Sequence, residues 1–220
     1  MKLVVSPAST DLLFRATFSE PQLGLGRFVD DERHQLIRKI LTAFELRLND
    51  VKFNNLTPSN DFIHFSKFYG TCFLDVSFGL EEIQVMLRRA ESETQLNDIA
   101  TKVGHLIEAR PLATQRFTIQ EHFSTSGELT QYLQSLNPHC PASFKDRLNS
   151  VGVHYTLKVS DHNLAIYITA VESLFIQKGL YLSLEFEFSP NKYDLRNALA
   201  VTQEQYRFIL NGLDLEIKEG

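Results

Sequence analysis

The sequence has no tryptophan, only two cysteines and two methionines, and no long apolar run. Two cysteines, Cys72 and Cys140, cannot build the disulfide framework of a small secreted domain, and their scarcity suits a reducing compartment. No segment approaches the roughly 20 consecutive apolar residues that a membrane-spanning helix needs. The opening Met1-Lys2-Leu3-Val4-Val5-Ser6-Pro7 has too short an apolar run for a secretory signal. A cytoplasmic location is therefore expected. Basic charge is also short: 22 Lys and Arg stand against 27 Asp and Glu, for a net charge of -5. That balance disfavours broad contact with a phosphate backbone, which needs clustered cations.

What is present is ordinary globular material. Of 220 residues, 43% are hydrophobic and 22% charged, enough for one large domain or two small ones with a sizeable core. With no Trp, the 17 Phe must supply much of the core volume.

Periodicity gives the architecture. Val153, Tyr155, Leu157 and Val159 alternate with polar residues and predict a strand with an apolar row on one face. Ser160-Asp161-His162-Asn163 predicts a turn. Leu164 to Val171 is apolar at nearly every position and predicts a strand covered on both faces. Leu182, Leu184, Phe186 and Phe188 form a third row, ended by Pro190-Asn191. The period then changes: Leu195, Leu199, Thr202, Tyr206, Ile209 and Leu213 fall on one helical stripe, with Asp194 near its start and Gly212 as a stop. Alternation in Leu213–Ile217 predicts a short last strand.

The upstream chain repeats this layout. A strand is predicted over Leu12–Phe18, and Gln22–Phe28 is a loop. Asp30-Asp31-Glu32 opens a helix whose apolar face carries Leu36, Ile37, Ile40, Leu41, Phe44 and Leu48. The stretch from Asn54 to Asn60 is a turn-rich connection, and strands follow at Phe62–Tyr69, Cys72–Phe78 and Ile83–Leu87. Ser92, with Gln95 at capping-box spacing, starts a helix with a stripe of Leu96, Ile99, Val103, Leu106 and Ile107. Pro111 breaks it and marks the expected boundary between a first half, 1–111, and a second, 112–220. The second half begins with a strand over Thr114–Phe123. Ser126 then caps a short helix burying Leu129, Tyr132, Leu133 and Leu136, and Ser143–Leu148 adds another helical turn. Matching elements are offset by roughly 95 to 105 residues, as an internal duplication would give. The predicted fold class is α+β: two tandem βαβββα-like repeats, antiparallel sheets covered by long amphipathic helices, whose half-sheets could join edge to edge in one larger sheet.

That element order resembles tandem ferredoxin-like domains such as those of the CRISPR repeat-RNA processing endonucleases, and more loosely a SecB-like chaperone. The first resemblance implies RNA binding or processing, and the second implies binding of unfolded segments. The glycine-rich loop near the C-terminus of the endonucleases is missing, since Gly212 and Gly220 stand alone, so no catalytic residue is carried over.

Candidate chemistry is sparse. Gly24-Leu25-Gly26 precedes a helix, but Asp30, Asp31 and Glu32 occupy the end where an anion would sit. The histidines, His34, His64, His105, His122, His139, His154 and His162, form no H-x-x-x-H pair and meet no Cys-x-x-Cys. His139-Cys140 is adjacent, yet neighbours in an extended segment point apart. There is no G-x-S-x-G. Glu185 and Glu187 share a polar strand face, with Lys158 as an expected cross-strand neighbour. Arg38-Lys39 and Arg88-Arg89 are the basic pairs. Tyr155, Tyr167 and Tyr181 lie on strands, where aromatics stack bases in some RNA-binding sheets, although Tyr155 is in phase with the core.

No catalytic, cofactor-binding or metal residue follows from this reading. The expected function is a non-enzymatic interaction or assembly module, with a protein as partner, self or other. RNA binding, chaperone-like binding, and a hydrolase or ligand pocket between sheet and helices are the alternatives.

Overall fold

A computed structural model describes residues 2–22, 30–54, 62–89, 93–107, 110–136, 152–189 and 195–218. Among these residues are four α-helices and a large, mainly antiparallel sheet, an α+β arrangement. The strands are β1 (Leu3–Phe18), β2 (Val51–Asn54), β3 (Phe62–Tyr69), β4 (Cys72–Gly79), β5 (Glu82–Arg88), β6 (Leu112–Ser126), β7 (Gly152–Val159), β8 (Leu164–Glu172), β9 (Leu180–Phe188) and β10 (Leu215–Ile217). The helices are α1 (Asp30–Ala43), α2 (Glu93–Ile107), α3 (Leu129–Leu136) and α4 (Leu195–Gly212). Hydrogen bonding runs in the order β2-β3-β4-β5-β1-β6-β9-β8-β7, and β10 pairs with β1 in parallel.

The residues group into two compact units. One comprises Met1–Asp11, Thr118–Phe186 and Val201–Gly220; the other comprises Leu12–Phe117 and Glu187–Ala200.

In the first unit, β7 and β8 pair antiparallel from Gly152↔Val171 to Val159↔Leu164. Asn163 takes a left-handed conformation in the turn between them, one that Asn adopts more readily than most residues. Leu164, Ile166, Ile168 and Ala170 of β8 and Leu182, Leu184 and Phe186 of β9 are buried, as are Leu129, Tyr132 and Leu133 of α3. The Tyr132 hydroxyl donates to the Leu213 carbonyl at 2.6 Å, tying α3 to the end of α4.

In the second unit, β2, β3, β4 and β5 form an antiparallel meander. Alternation is strict in β4, where Cys72, Leu74, Val76 and Phe78 are buried. Phenylalanines fill the interior as expected. The Phe14 and Phe117 rings lie 4.9 Å apart, Phe117 and Phe188 6.0 Å, and Phe44 and Phe65 4.9 Å. Ile99, Val103, Leu106 and Ile107 of α2 face this core, and Leu195 and Leu199 of α4 complete it.

Several expectations need correction. β1 starts at Leu3, not Leu12: its buried positions change from odd (Leu3, Val5) to even (Leu12, Phe14, Ala16, Phe18), which hid it from a period-two reading. β2 is only four residues long, too short to show alternation. Leu48 is exposed because α1 ends at Ala43 and Glu45, at φ 52, turns the chain away. Tyr155 is not core; its ring is partly exposed and its hydroxyl donates to the Leu136 carbonyl of α3 at 2.5 Å. β8 is fully buried on one face only, with Ala165, Tyr167, Thr169 and Val171 half-buried on the other. The expected turn at 55–60, helix at 143–148, cap residues Ser92 and Asp194, and terminator Pro190-Asn191 lie outside the described residues.

Candidate functional site

The loop joining β8 to β9 is short, internally bonded and apolar at its tip. The Ser173 hydroxyl oxygen accepts the backbone N–H groups of Phe175 at 3.2 Å and Ile176 at 3.1 Å. The Ser173 N–H donates to the Gly179 carbonyl at 2.7 Å, and the Gly179 N–H to the Ile176 carbonyl at 2.9 Å. From β6, the Thr125 hydroxyl donates to the Lys178 carbonyl at 2.7 Å. His122 of β6 completes the support. Its Nδ1 lies 2.9 Å from the Ser173 hydroxyl, and its ring packs 5.1 Å from Phe175 and 4.8 Å from Tyr181. The loop nevertheless leaves Leu174 97% exposed and Phe175 84% exposed. A loop already fixed by these bonds loses little conformational freedom when its tip is covered.

Gly179 is the pivot. A Cβ there would sit 2.6 Å from the Ile176 Cβ and 2.8 Å from the Phe123 carbonyl oxygen, a backbone atom with little room to yield. Gly179→Ala is expected to cost about 1–2 kcal/mol. It should also loosen the tip, read as faster amide exchange at Phe175 and Ile176 than in the wild type.

Serine and histidine in contact invite comparison with a nucleophile and its base. The Ser173 oxygen, however, already accepts two backbone N–H groups, which ties up the electron pairs that an attack would use. Among the described residues no carboxylate hydrogen-bonds His122 to orient it. The pair is a loop staple.

The neighbouring residue, Glu121, projects to the opposite side of β6 and is 5% exposed. Its Oε2 accepts the Tyr206 hydroxyl of α4 at 2.7 Å, and its Oε1 accepts the Thr10 hydroxyl of β1 at 3.1 Å. Burial pushes the Glu121 carboxyl above the usual range, and the two hydroxyls pull it part of the way back. The Tyr206 phenol is held well above its ordinary value by burial, and further by the carboxylate beside it. Each carboxyl oxygen is engaged by a protein hydroxyl, so the cluster braces one unit internally. The sequence did carry a signal for it: Glu121 is in phase with Phe117 and Phe123, an acid in an otherwise apolar row.

No protein-family model matches this chain, and neither does any curated protein sequence.

The remaining candidates are dispersed. Glu185 and Glu187 are half-buried, and Glu187 pairs with Arg116 at 2.8 Å. Lys158 is not their cross-strand neighbour: β8 lies between β7 and β9, and Lys158 faces Ala165. His64 bonds Asp75 at 3.0 Å, and His154 bonds Thr169 at 2.8 Å. His34 and His105 are exposed, and Cys72 is fully buried. Arg88 and Arg89 are exposed at the end of β5. Tyr167 is half-buried on β8, and Tyr181 packs on His122. His139, Cys140, Gly24 and Gly26 lie outside the described residues. Among the described residues no group of three or more His, Cys, Asp or Glu is placed to hold a metal ion. No described helix is long and apolar enough to cross a membrane.

Proposed function

We propose that this protein is a non-enzymatic interaction module that docks a protein surface through the β8–β9 tip. The observation that carries the reading is the pair Leu174 and Phe175, almost wholly in water on a loop that Ser173, His122 and Gly179 hold in one shape. Exposing two large apolar side chains forfeits the roughly 1.5–3 kcal/mol each would gain by burial, and a partner can recover that energy. A second copy of the chain is the first partner to test.

Sedimentation velocity over a concentration series should show a defined oligomer for the wild type. The Leu174→Ser/Phe175→Ser double variant should remain a folded monomer, because both side chains are already exposed. A wild type that stays monomeric and retains no partner in pulldown would count against the proposal. An equal oligomer in wild type and variant would place the interface elsewhere. The same tip also suits a chaperone-like binder of unfolded segments. That alternative expects the monomeric wild type, and not the double variant, to suppress aggregation of a denatured client.

A further inference from the structure

A second surface feature lies within the other unit, at the junction of α1 and α2. Arg38, Lys39, Thr42 and Ala43 of α1 face His105 and Leu106 of α2 across an open cleft of ≈ 490 Å³. The two helices present these residues for a local reason. Leu36, Ile37 and Ile40 of α1 and Val103, Leu106 and Ile107 of α2 turn inward. At 3.6 residues per turn, Arg38, Lys39 and His105 are therefore left outside.

Among the described residues the cleft wall carries Arg38, Lys39, the imidazole of His105 and the Thr42 hydroxyl, and no acid. The side chains of Arg38 and Lys39 make no hydrogen bond or ion pair to any described residue. Two acids of the same unit are engaged by other cations: Asp98 pairs with Lys102 at 2.7 Å, and Glu45 with Lys67 at 3.8 Å. The C-terminal end of a helix normally repels an anion because its last carbonyls are unpaired. Here a cation sits at each end. Lys67 Nζ donates to the Phe44 carbonyl just past α1 at 2.5 Å, and Arg110 Nη1 donates to the Leu106 carbonyl of α2 at 2.6 Å.

We propose that the α1–α2 cleft binds the phosphate group of a small phosphorylated molecule, with Arg38 and Lys39 as its charge partners. The Arg38 guanidinium supplies a planar fork matched to two phosphate oxygens, Lys39 a point charge, and Thr42 a hydroxyl donor. The volume falls within the roughly 300–1,000 Å³ of small-ligand sites. Two cations on one helix, in a chain of net charge -5, are too few for the extended phosphate contacts of a nucleic acid.

The test is isothermal titration of the full chain with inorganic pyrophosphate at low salt, beside a short single-stranded oligonucleotide. Pyrophosphate should bind, and Arg38→Gln and Lys39→Gln should each weaken binding by roughly three- to tenfold. Both side chains are exposed, so the variants should melt like the wild type. Lys158→Gln, in the other unit, should bind as the wild type does. Absence of binding, unchanged binding by the Arg38→Gln/Lys39→Gln double variant, or tighter binding of the oligonucleotide than of pyrophosphate would each overturn the proposal.

Discussion

Phe117→Ala is expected to destabilise the protein by about 3–5 kcal/mol, the largest effect of any single substitution considered. Phe117 is 2% exposed, and its ring packs against Phe14 at 4.9 Å and edge-on to Phe188 at 6.0 Å. It also lines a small, partly open apolar space of ≈ 20 Å³ together with Leu12, Phe14, Val85, Ile99, Val103 and Leu199. Truncation removes the transfer energy of the ring and the contacts of two partner rings, and it enlarges a space that the walls have already failed to fill. In a chain of this size the loss corresponds to a fall in melting temperature of roughly 6–20 °C. Phe175→Ala is the matching control. It removes the same side chain from a position that is 84% exposed, so at concentrations where the protein is monomeric it should change stability by less than about 1 kcal/mol. Equal effects at the two positions would mean that Phe117 does not pack as the structure shows.

The second large effect belongs to the buried carboxyl. Tyr206→Phe removes one oxygen and leaves Glu121 Oε2 without its 2.7 Å donor. The expected cost is about 1–3 kcal/mol, as for a buried acceptor left without its donor. Glu121→Gln tests the same site through pH. Because burial raises the Glu121 pKa above its ordinary value of 4.5, the folded protein holds that proton more firmly than the unfolded chain. Below the unfolded value both states are protonated, and the carboxyl costs nothing extra. As pH rises from there to the raised folded value, the unfolded chain releases the proton first and stability falls; above it the cost is constant. The Gln variant has no proton to release at this site. Urea midpoints measured from acid to neutral pH should therefore show the stability of the wild type falling relative to the variant through that window. A wild type that instead gained stability relative to the variant as pH rose would mean that the hydrogen bonds from Tyr206 and Thr10 outweigh burial and depress the pKa.

Hairpins and helix stripes were legible in the sequence because both depend on which face of a local element is buried. The β3-β4-β5 meander, the β7-β8 pair and the α4 stripe through Thr202 and Ile209 all stand where the alternation and the 3.6 period put them. Gly212 does end α4, and the last strand, β10, does follow. The candidate site was not legible. Leu174 and Phe175 read as ordinary apolar residues, and nothing near them in sequence says that water, not core, surrounds them. Ser173 and His122 are 51 residues apart, and their meeting depends on β6 running beside β9.

From its sequence alone, this protein has its element types, its Phe-rich interior and the amphipathic faces of its long helices, because side-chain periodicity fixes burial within each element. Only the tertiary structure decided that β1 runs from Leu3, that β10 returns to pair with it in parallel, and that Thr10, Glu121 and Tyr206 converge. These contacts join residues as far apart in the chain as Leu3 and Leu215. Their register is set by the pairing of whole strands, and no local pattern of residues encodes it.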